Sequence, residues 1–178
     1  ATPSWRSGCR PCGTTRWSTT LPQVRTQPPA PDGFVKAGPT PFEAAALRAW
    51  NGNGAVRLLD ERPGVLILER AVPGTPAPDD VVLASALRRL WIGPPAGVDW
   101  PVADELCERW ARTVERVPSV GRVAAAVFRA GLPNGERVLL HGDGHHGNVL
   151  DGGRRGWLAI DPQPLVGPPA LDLVPALF

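Results

Sequence analysis

The sequence predicts an α+β protein in which a small antiparallel sheet with one helix precedes a mostly helical part. Two observations support this fold class. Residues 21–69 follow the order strand, strand, helix, strand, strand, and residues 79–128 carry apolar residues at helical spacing. Short apolar runs return between residues 138 and 160. A chain of 178 residues has room for one domain or for a small protein of two parts.

The first part is predicted to begin after an irregular segment, residues 1–20, with strands at residues 21–26 and 34–36. A helix should follow, with Thr40 as N-cap, Pro41 in the first position and Glu43 as the capping-box partner. The run Asn-Gly-Asn-Gly at residues 51–54 should end it.

The remaining elements are read from apolar periodicity. Strands at residues 56–59 and 65–69 should form a hairpin around the turn at residues 60–64. Three helices should follow, the first capped by Asp79 or Asp80. The last expected elements are three short strands, at residues 138–140, 148–150 and 157–160.

Composition and charge exclude several classes of protein. The net charge of +2 gives no argument for a nucleic-acid partner. No apolar run approaches the length of a membrane helix, and no signal peptide is recognisable, so we expect a soluble cytoplasmic protein without a membrane partner. Cys9 and Cys12 have the spacing of half a zinc site, but Cys107 stands alone, which favours free thiols.

Two residue types are distributed unevenly. Arginine outnumbers lysine 18 to 1, so the lone Lys36 is expected where a compact ammonium is needed. All three histidines fall between His141 and His146, a window that reads His-Gly-Asp-Gly-His-His-Gly-Asn through Asn148. Because this window lies between predicted strands and Asp161 ends the next one, Asp143, Asn148 and Asp161 should converge on one cleft. Their oxygen atoms suit Mg²⁺.

The pattern H-G-D-x-H-x-x-N, followed thirteen residues after the Asn by Asp161 within I-D-P, resembles the catalytic and metal-binding segments of aminoglycoside phosphotransferases. Residues 21–26, 43–50 and 55–60 resemble the branch of streptomycin 6-kinases and hydroxyurea-resistance kinases. The resemblance covers residues 21–178. It implies a protein-kinase-like, two-lobed fold, with an N-lobe at 21–71 and a C-lobe at 72–178, and transfer of phosphate from ATP to a small-molecule hydroxyl.

The resemblance also assigns catalytic and phosphate-binding roles. Asp143 matches the catalytic base, and Asn148 and Asp161 match the Mg²⁺ ligands. Lys36 matches the lysine that holds the nucleotide phosphates. Glu43 resembles the glutamate that pairs with this lysine, although the capping box accounts for it equally well.

The resemblance also covers Glu69, Ala71 and Asp172, whereas His141 is judged from its chemistry alone. The backbone of Glu69 and Ala71 should contact the adenine. The identity of these two side chains should therefore give no information about nucleotide binding. Asp172 matches an aspartate that supports the catalytic loop. For His141, a packing and hydrogen-bonding role in the loop is favoured over that of a base.

The sequence also departs from the family pattern. Glu43 follows Lys36 by seven positions, a spacing about one helical turn shorter than in that branch, which predicts a displaced pair. Gly144 replaces an aliphatic residue and should loosen the loop. Arg154 and Arg155 should form a solvated hairpin tip. Since the chain stops soon after Asp172, we expect a fragment with an incomplete C-lobe.

Two alternatives remain open at this point. The histidines and Asp143 resemble a dinuclear zinc motif of metallohydrolases, but their order differs and no later histidine completes the site. A kinase-like fragment that binds nucleotide without transferring phosphate is the second alternative. The acceptor itself cannot be read from the sequence.

Overall fold

A computed structural model of the protein describes residues 33–116 and 121–177. It begins with a three-stranded antiparallel sheet in the order β1, β3, β2. These strands are β1 (Gly33–Ala37), β2 (Leu58–Arg62) and β3 (Val65–Glu69). In the register, Lys36 of β1 lies opposite Leu66 of β3. β1 and β3 confirm the predicted strands, whereas β2 begins two residues later than predicted.

The late start of β2 has a tertiary cause. The amide of Val56 donates to the carbonyl of Ala159, 3.0 Å away, instead of joining the β2–β3 ladder. Ala159 in turn donates to the carbonyl of Gly54. The segment before β2 is therefore bound to a part of the chain a hundred residues away, which strand propensity does not reveal.

Four helices occur in the described residues. They are α1 (Glu43–Trp50), α2 (Asp80–Arg88), α3 (Ala103–Val114) and α4 (Gly121–Arg129). Of the two predicted caps, Asp79 and not Asp80 caps α2, because the Asp79 carboxylate accepts from the amide of Val82 at 2.8 Å. The predicted N-cap of α1 is wrong: Phe42 occupies that position with φ 67°, and no side chain caps the helix.

Two small antiparallel sheets follow the helices. β4 (Val138–Leu140) pairs with β7 (Leu165–Gly167), and β5 (Val149–Asp151) pairs with β6 (Trp157–Ala159). A 3₁₀ turn at His146–Asn148 precedes β5, and another at Gly153–Arg155 forms the tip of the β5–β6 hairpin. The final described residues, Pro169–Leu177, also form 3₁₀ turns.

The main apolar core joins these elements. It includes Leu47 and Trp50 of α1, Leu83 and Leu87 of α2, and Leu158 of β6, each at most 3% exposed. At roughly 1.5–3 kcal/mol per buried large aliphatic side chain, this cluster is a major source of stability. It packs the first sheet and α1 onto the hairpin that carries the candidate site.

The coarse fold prediction is confirmed: the chain mixes helices with small antiparallel sheets. The predicted strand at residues 21–26, the irregular residues 1–20 and the pair Cys9–Cys12 lie outside the described residues. Cys107 is a buried free thiol. Within the part of the chain that the structure describes, no helix is both long and apolar enough to cross a membrane.

Candidate active site

Lys36 lies between two carboxylates at the edge of the first sheet. Its Nζ donates to Glu43 Oε1 at 2.7 Å and to Oε2 at 2.8 Å, and also to Asp161 Oδ1 at 2.8 Å. The pleat of β1 directs Lys36 toward α1, where Glu43 occupies the first turn. The side chain of Glu43 is fully buried, whereas that of Asp161 is 52% exposed.

The predicted displacement of the lysine–glutamate pair is wrong. The short connection closes because Gly38 and Phe42 both adopt left-handed backbone conformations, with φ 65° and 67°. Glu43 Oε2 also accepts from the amide of Thr40 at 3.0 Å. This is not a capping box, because Phe42 is the N-cap of α1 and Glu43 is its first residue. Of the two roles that the sequence left open for Glu43, the structure shows the pairing with Lys36.

Opposing effects determine the protonation of Lys36. Partial burial of the ammonium lowers its pKa, but the hydrogen bonds to Asp161 and Glu43 outweigh this and raise the pKa of Lys36 above its usual value. The side chain is therefore cationic throughout the neutral range.

The loop between β4 and the 3₁₀ turn brings Asp143 and Asn148 together. The Asn148 amide nitrogen donates to the Asp143 backbone carbonyl at 3.0 Å and to Asp143 Oδ2 at 3.2 Å. These bonds fix the orientation of the half-buried Asp143 carboxylate. They also occupy the amide nitrogen of Asn148, which makes its oxygen the atom suited to bind a cation.

His141 is fully buried beneath this loop. Its Nε2 lies 2.8 Å from the carbonyl of Ile160, and its Nδ1 accepts from the amide of Asp143 at 3.3 Å. This pair of contacts requires the neutral tautomer with the proton on Nε2. Burial lowers the pKa of His141 despite the nearby Asp172 carboxylate. The residue therefore has the packing and hydrogen-bonding position expected for it.

Asp172 anchors the start of the loop from below. Its Oδ2 accepts from the amide of His141 at 3.0 Å and from Trp91 Nε1 at 3.1 Å, and its Oδ1 accepts from the amide of Gly142 at 2.7 Å. The carboxylate is completely buried, and charge-assisted hydrogen bonds of this kind are the stronger ones. The contact from Trp91 is not predictable from sequence, since an indole in a helical pattern suggests only packing.

The expectation that Gly144 loosens the loop is wrong. Gly144 is buried, and a Cβ at this position would come within 2.5 Å of the Asp172 carbonyl and 2.6 Å of Leu87 Cδ1. α2 therefore fills the space that a side chain would occupy. The loop is tightly packed at this point because the residue is glycine.

The β5–β6 pairing places Asn148 beside Asp161. The amide of Ile160 donates to the carbonyl of Asn148 at 2.9 Å, so the residue before Asp161 directly faces Asn148. Asp161 adopts φ 54°, which turns its side chain back toward Lys36. One carboxylate and one amide oxygen form a donor set that fits Mg²⁺, which commonly takes few protein ligands and retains others from water or phosphate.

The three histidines have different partners. The Nδ1 of His145 accepts from the amide of Gly147 at 3.1 Å, whereas His146 Nε2 lies 3.1 Å from Asp80 Oδ1 and His141 bonds to the loop. No group of three or more His, Cys, Asp or Glu side chains in residues 33–116 and 121–177 is arranged to hold a metal ion. Nothing in this arrangement supports the zinc hydrolase alternative.

The structure alters the interpretation of Glu69 and Arg155. Glu69 ends β3, and its amide donates to the carbonyl of Arg57, so its N–H is already engaged. Arg155 Nη1 donates to both Glu69 carboxylate oxygens, at 2.6 and 2.7 Å. The expected solvated tip is wrong for Arg155, although Arg154 is exposed. Ala71 follows β3 by two residues, and its role with adenine stays a prediction.

Thr40 makes a long-range contact that the sequence did not predict. Its hydroxyl lies 2.9 Å from the carbonyl of Pro162 and 3.3 Å from Glu43 Oε2. Thr40 thereby links the segment before α1 to the segment that contains Asp161. The Thr-Pro signal indicated a helix cap and gave no indication of this long-range contact.

Comparison with known proteins agrees with these features. Residues 36–177 match the model of a family described as aminoglycoside/hydroxyurea antibiotic resistance kinase. A hydroxyurea phosphotransferase from Kitasatospora aureofaciens is 40% identical over 155 residues, covering 76% of this chain and 45% of the relative.

Two other relatives carry streptomycin kinase names. A streptomycin 6-kinase from Streptomyces glaucescens is 41% identical over 149 residues, covering 74% of this chain and 48% of the relative. A streptomycin 3''-kinase from Klebsiella pneumoniae is 34% identical over 179 residues, covering 89% and 64%. The chain spans about half the length of the first relatives it matches.

Proposed function

The chain belongs to the family of aminoglycoside/hydroxyurea antibiotic resistance kinases, and from this premise we propose that it transfers the γ-phosphoryl group of ATP to a hydroxyl of a small-molecule acceptor. The observation that carries the proposal is the contact of Lys36 with both Glu43 and Asp161. A phosphotransferase site requires a fixed cation beside its metal ligands.

Lys36 supplies that fixed cation. The buried Glu43 carboxylate accepts from Lys36 and from the amide of Thr40, which restricts the position of the ammonium. Because its raised pKa keeps it protonated, Lys36 provides a compact positive charge for the α- and β-phosphates.

Asp143 is the proposed catalytic base. Asn148 holds its Oδ2, so the carboxylate is oriented before an acceptor arrives. During transfer, the acceptor oxygen forms a bond to the γ-phosphorus while the bond from phosphorus to the β,γ-bridging oxygen breaks. The hydroxyl proton passes to the Asp143 carboxylate, and ADP is the leaving group.

Asn148 and Asp161 are proposed to hold Mg²⁺ through oxygen atoms. The bound ion would neutralise charge on the nucleotide phosphates. The contribution of the protein is to place the two ligands side by side, since β5–β6 pairing sets the separation of their backbones.

The proposed fold assignment is a two-lobed, protein-kinase-like arrangement. Its N-lobe would contain the first sheet and α1, within residues 21–71, and its C-lobe would follow at 72–178. Support comes from the element order, since β1–β3 and α1 all precede residue 71 and three helices follow it. Under this assignment adenine would contact the backbone of Glu69 and Ala71.

The proposed acceptor is a streptomycin-type aminoglycoside or hydroxyurea. This choice rests on the names of the relatives, two of which are streptomycin kinases and one a hydroxyurea phosphotransferase. Both acceptor types carry hydroxyl groups that an Asp143 carboxylate could deprotonate.

The test is transfer of labelled γ-phosphate from ATP, with Mg²⁺, to streptomycin and separately to hydroxyurea. We expect labelled product from at least one acceptor, and a loss of about 10²–10⁴-fold in Asp143→Asn, because an amide cannot accept the hydroxyl proton. Asp99→Asn, an exposed residue outside the site, is the matched control and should retain activity. Equal rates in Asp143→Asn and the unmodified protein would refute the assigned base.

A further inference from the structure

Arg155 connects three separate segments of the chain. It lies in the 3₁₀ turn at the tip of the β5–β6 hairpin. Its Nη1 donates to both carboxylate oxygens of Glu69, at the end of β3, and its Nη2 donates to the carbonyl of Gly52, just after α1. The Arg155 and Glu69 side chains are only 28% and 21% exposed.

The surroundings of this ion pair distinguish it from an ordinary surface contact. Glu69 Oε2 also accepts from the backbone amide of Arg57 at 3.0 Å, so its carboxylate is held from two directions. Gly52 has φ 80°, and a Cβ there would lie 2.8 Å from Arg57 Cγ and 3.0 Å from Arg155 Nη2. Glycine at residue 52 therefore permits both arginines to approach.

Each of the three segments leads to a different part of the site. The hairpin begins beside Asn148 and ends beside Asp161, the proposed metal ligands. Gly52 follows the helix that carries Glu43. Glu69 is the last residue of β3, and the connection that follows it toward α2 is proposed to contact adenine. The planar, forked donors of a guanidinium suit simultaneous contacts with the Glu69 carboxylate and the Gly52 carbonyl.

Backbone hydrogen bonds hold the same hairpin further along the chain. Asp151 donates to the carbonyl of Thr75 and accepts from the amide of Gly74, both at 2.8 Å. The hairpin is thus bound to the segment after Glu69 by its backbone and to Glu69 itself by Arg155.

We propose that Arg155 is a positioning residue of the nucleotide site, which acts by holding Glu69 and the connection that follows it against the metal-ligand hairpin. Arg155 does not contact the reacting groups; its effect passes through Glu69. The inference rests on the proposed function insofar as that connection meets a nucleotide. It gives the Glu69 side chain a role in addition to the backbone contact with adenine that is expected of this residue.

The test compares Arg155→Ala with Arg154→Ala, which removes the same charge from the adjacent, exposed position of the same turn. In the nucleotide-free 178-residue protein, hydrogen exchange should become faster at residues 69–75 in Arg155→Ala and should remain unchanged in Arg154→Ala. Exchange within α2 should be unchanged in both variants. A purely global destabilisation would accelerate exchange in all of these elements together.

The second readout is the affinity for ATP with Mg²⁺. We expect Arg155→Ala to weaken binding about 2- to 30-fold, a range typical of residues that act through a neighbour. Glu69→Gln should also weaken it, and the double variant should be no worse than Arg155→Ala alone, since both changes weaken the same Arg155–Glu69 contact.

Exchange at residues 69–75 that is identical in Arg155→Ala and Arg154→Ala would overturn the inference, as would additive losses of affinity in the double variant. If the unmodified protein bound no ATP with Mg²⁺, the proposed function would fail instead. The exchange comparison would still decide whether Arg155 fixes this connection, because it needs no nucleotide.

Discussion

At Lys36, two carboxylates of unequal accessibility share one ammonium. Glu43 is buried and held by Thr40 as well, whereas Asp161 is half exposed. Exposed ion pairs typically contribute about 0–1 kcal/mol to stability, so breaking the contact between Lys36 and Asp161 should cost little free energy. Lys36 is therefore anchored by Glu43, and Asp161 is the partner able to turn toward a bound cation.

His141 gives a prediction about pH. Burial lowers the pKa of its imidazole in the folded protein, while the unfolded chain has an ordinary value of about 6.5. As the pH falls below about 6.5, the unfolded chain binds a proton that the folded protein does not. The free energy of unfolding should therefore decrease, by at most about 1.4 kcal/mol per pH unit, and be fully retained above that pH.

The measurement is urea unfolding between pH 7.5 and 5.5. His141→Gln should flatten this dependence, whereas His145→Gln, at a half-exposed position, should leave it in place. Since His141→Gln removes a buried hydrogen bond, NMR titration of the unmodified protein provides an independent readout. A His141 imidazole that titrates at or above pH 6.5 in the folded state would contradict the neutral assignment.

At the scale of elements, α2 determines the packing of the loop that contains Asp143. Gly144→Ala should destabilise the protein by about 1–3 kcal/mol, because a methyl group there would overlap the Asp172 carbonyl and Leu87. Gly93→Ala is the matched control, with no heavy atom within 4 Å of the added carbon. Its unfolding free energy should change by less than about 0.5 kcal/mol. Equal denaturant midpoints for the two variants would show that the loop is not closely packed.

Elements with strong local signals were predictable from sequence. The periodicity and the Asp79 cap identify α2, and the apolar run of β3 stands between turn residues. β7 was missed, because three residues in a segment rich in proline and glycine carry no periodicity and depend on pairing with β4. Position 56 was misread for the same reason: Val56 pairs with Ala159 instead of extending β2.

In the candidate site too, residues with a local sequence signal were predictable and long-range contacts were not. Asp143, Asn148, Asp161 and Lys36 stand out through their motif or their rarity, and the structure brings Lys36 to Asp161 and Asn148 to Asp143. The contacts of Arg155 and Thr40 are long-range, to Glu69 and Pro162. Local spacing holds no information about such pairs, so only the fold reveals them.

Across the whole molecule, residues from distant parts of the chain meet at one place. Lys36 and Asp161 are separated by 125 positions in sequence, and Glu69 and Arg155 by 86. The main core lies beneath both contacts, since it joins α1 and β3 to β6. The proposed activity therefore depends on the sheet, α1 and the β5–β6 hairpin holding their relative positions.

The central claim, that these parts form a site for a magnesium-bound nucleotide, is tested most directly by calorimetric titration of ATP. We predict that the unmodified protein binds ATP at least about 10-fold more tightly with Mg²⁺ than with EDTA, and that Asp161→Asn loses most of this difference because it removes one ligand charge. Asp99→Asn should bind as the unmodified protein does. ATP affinity that is unaffected by Mg²⁺ and unchanged in Asp161→Asn would contradict the account.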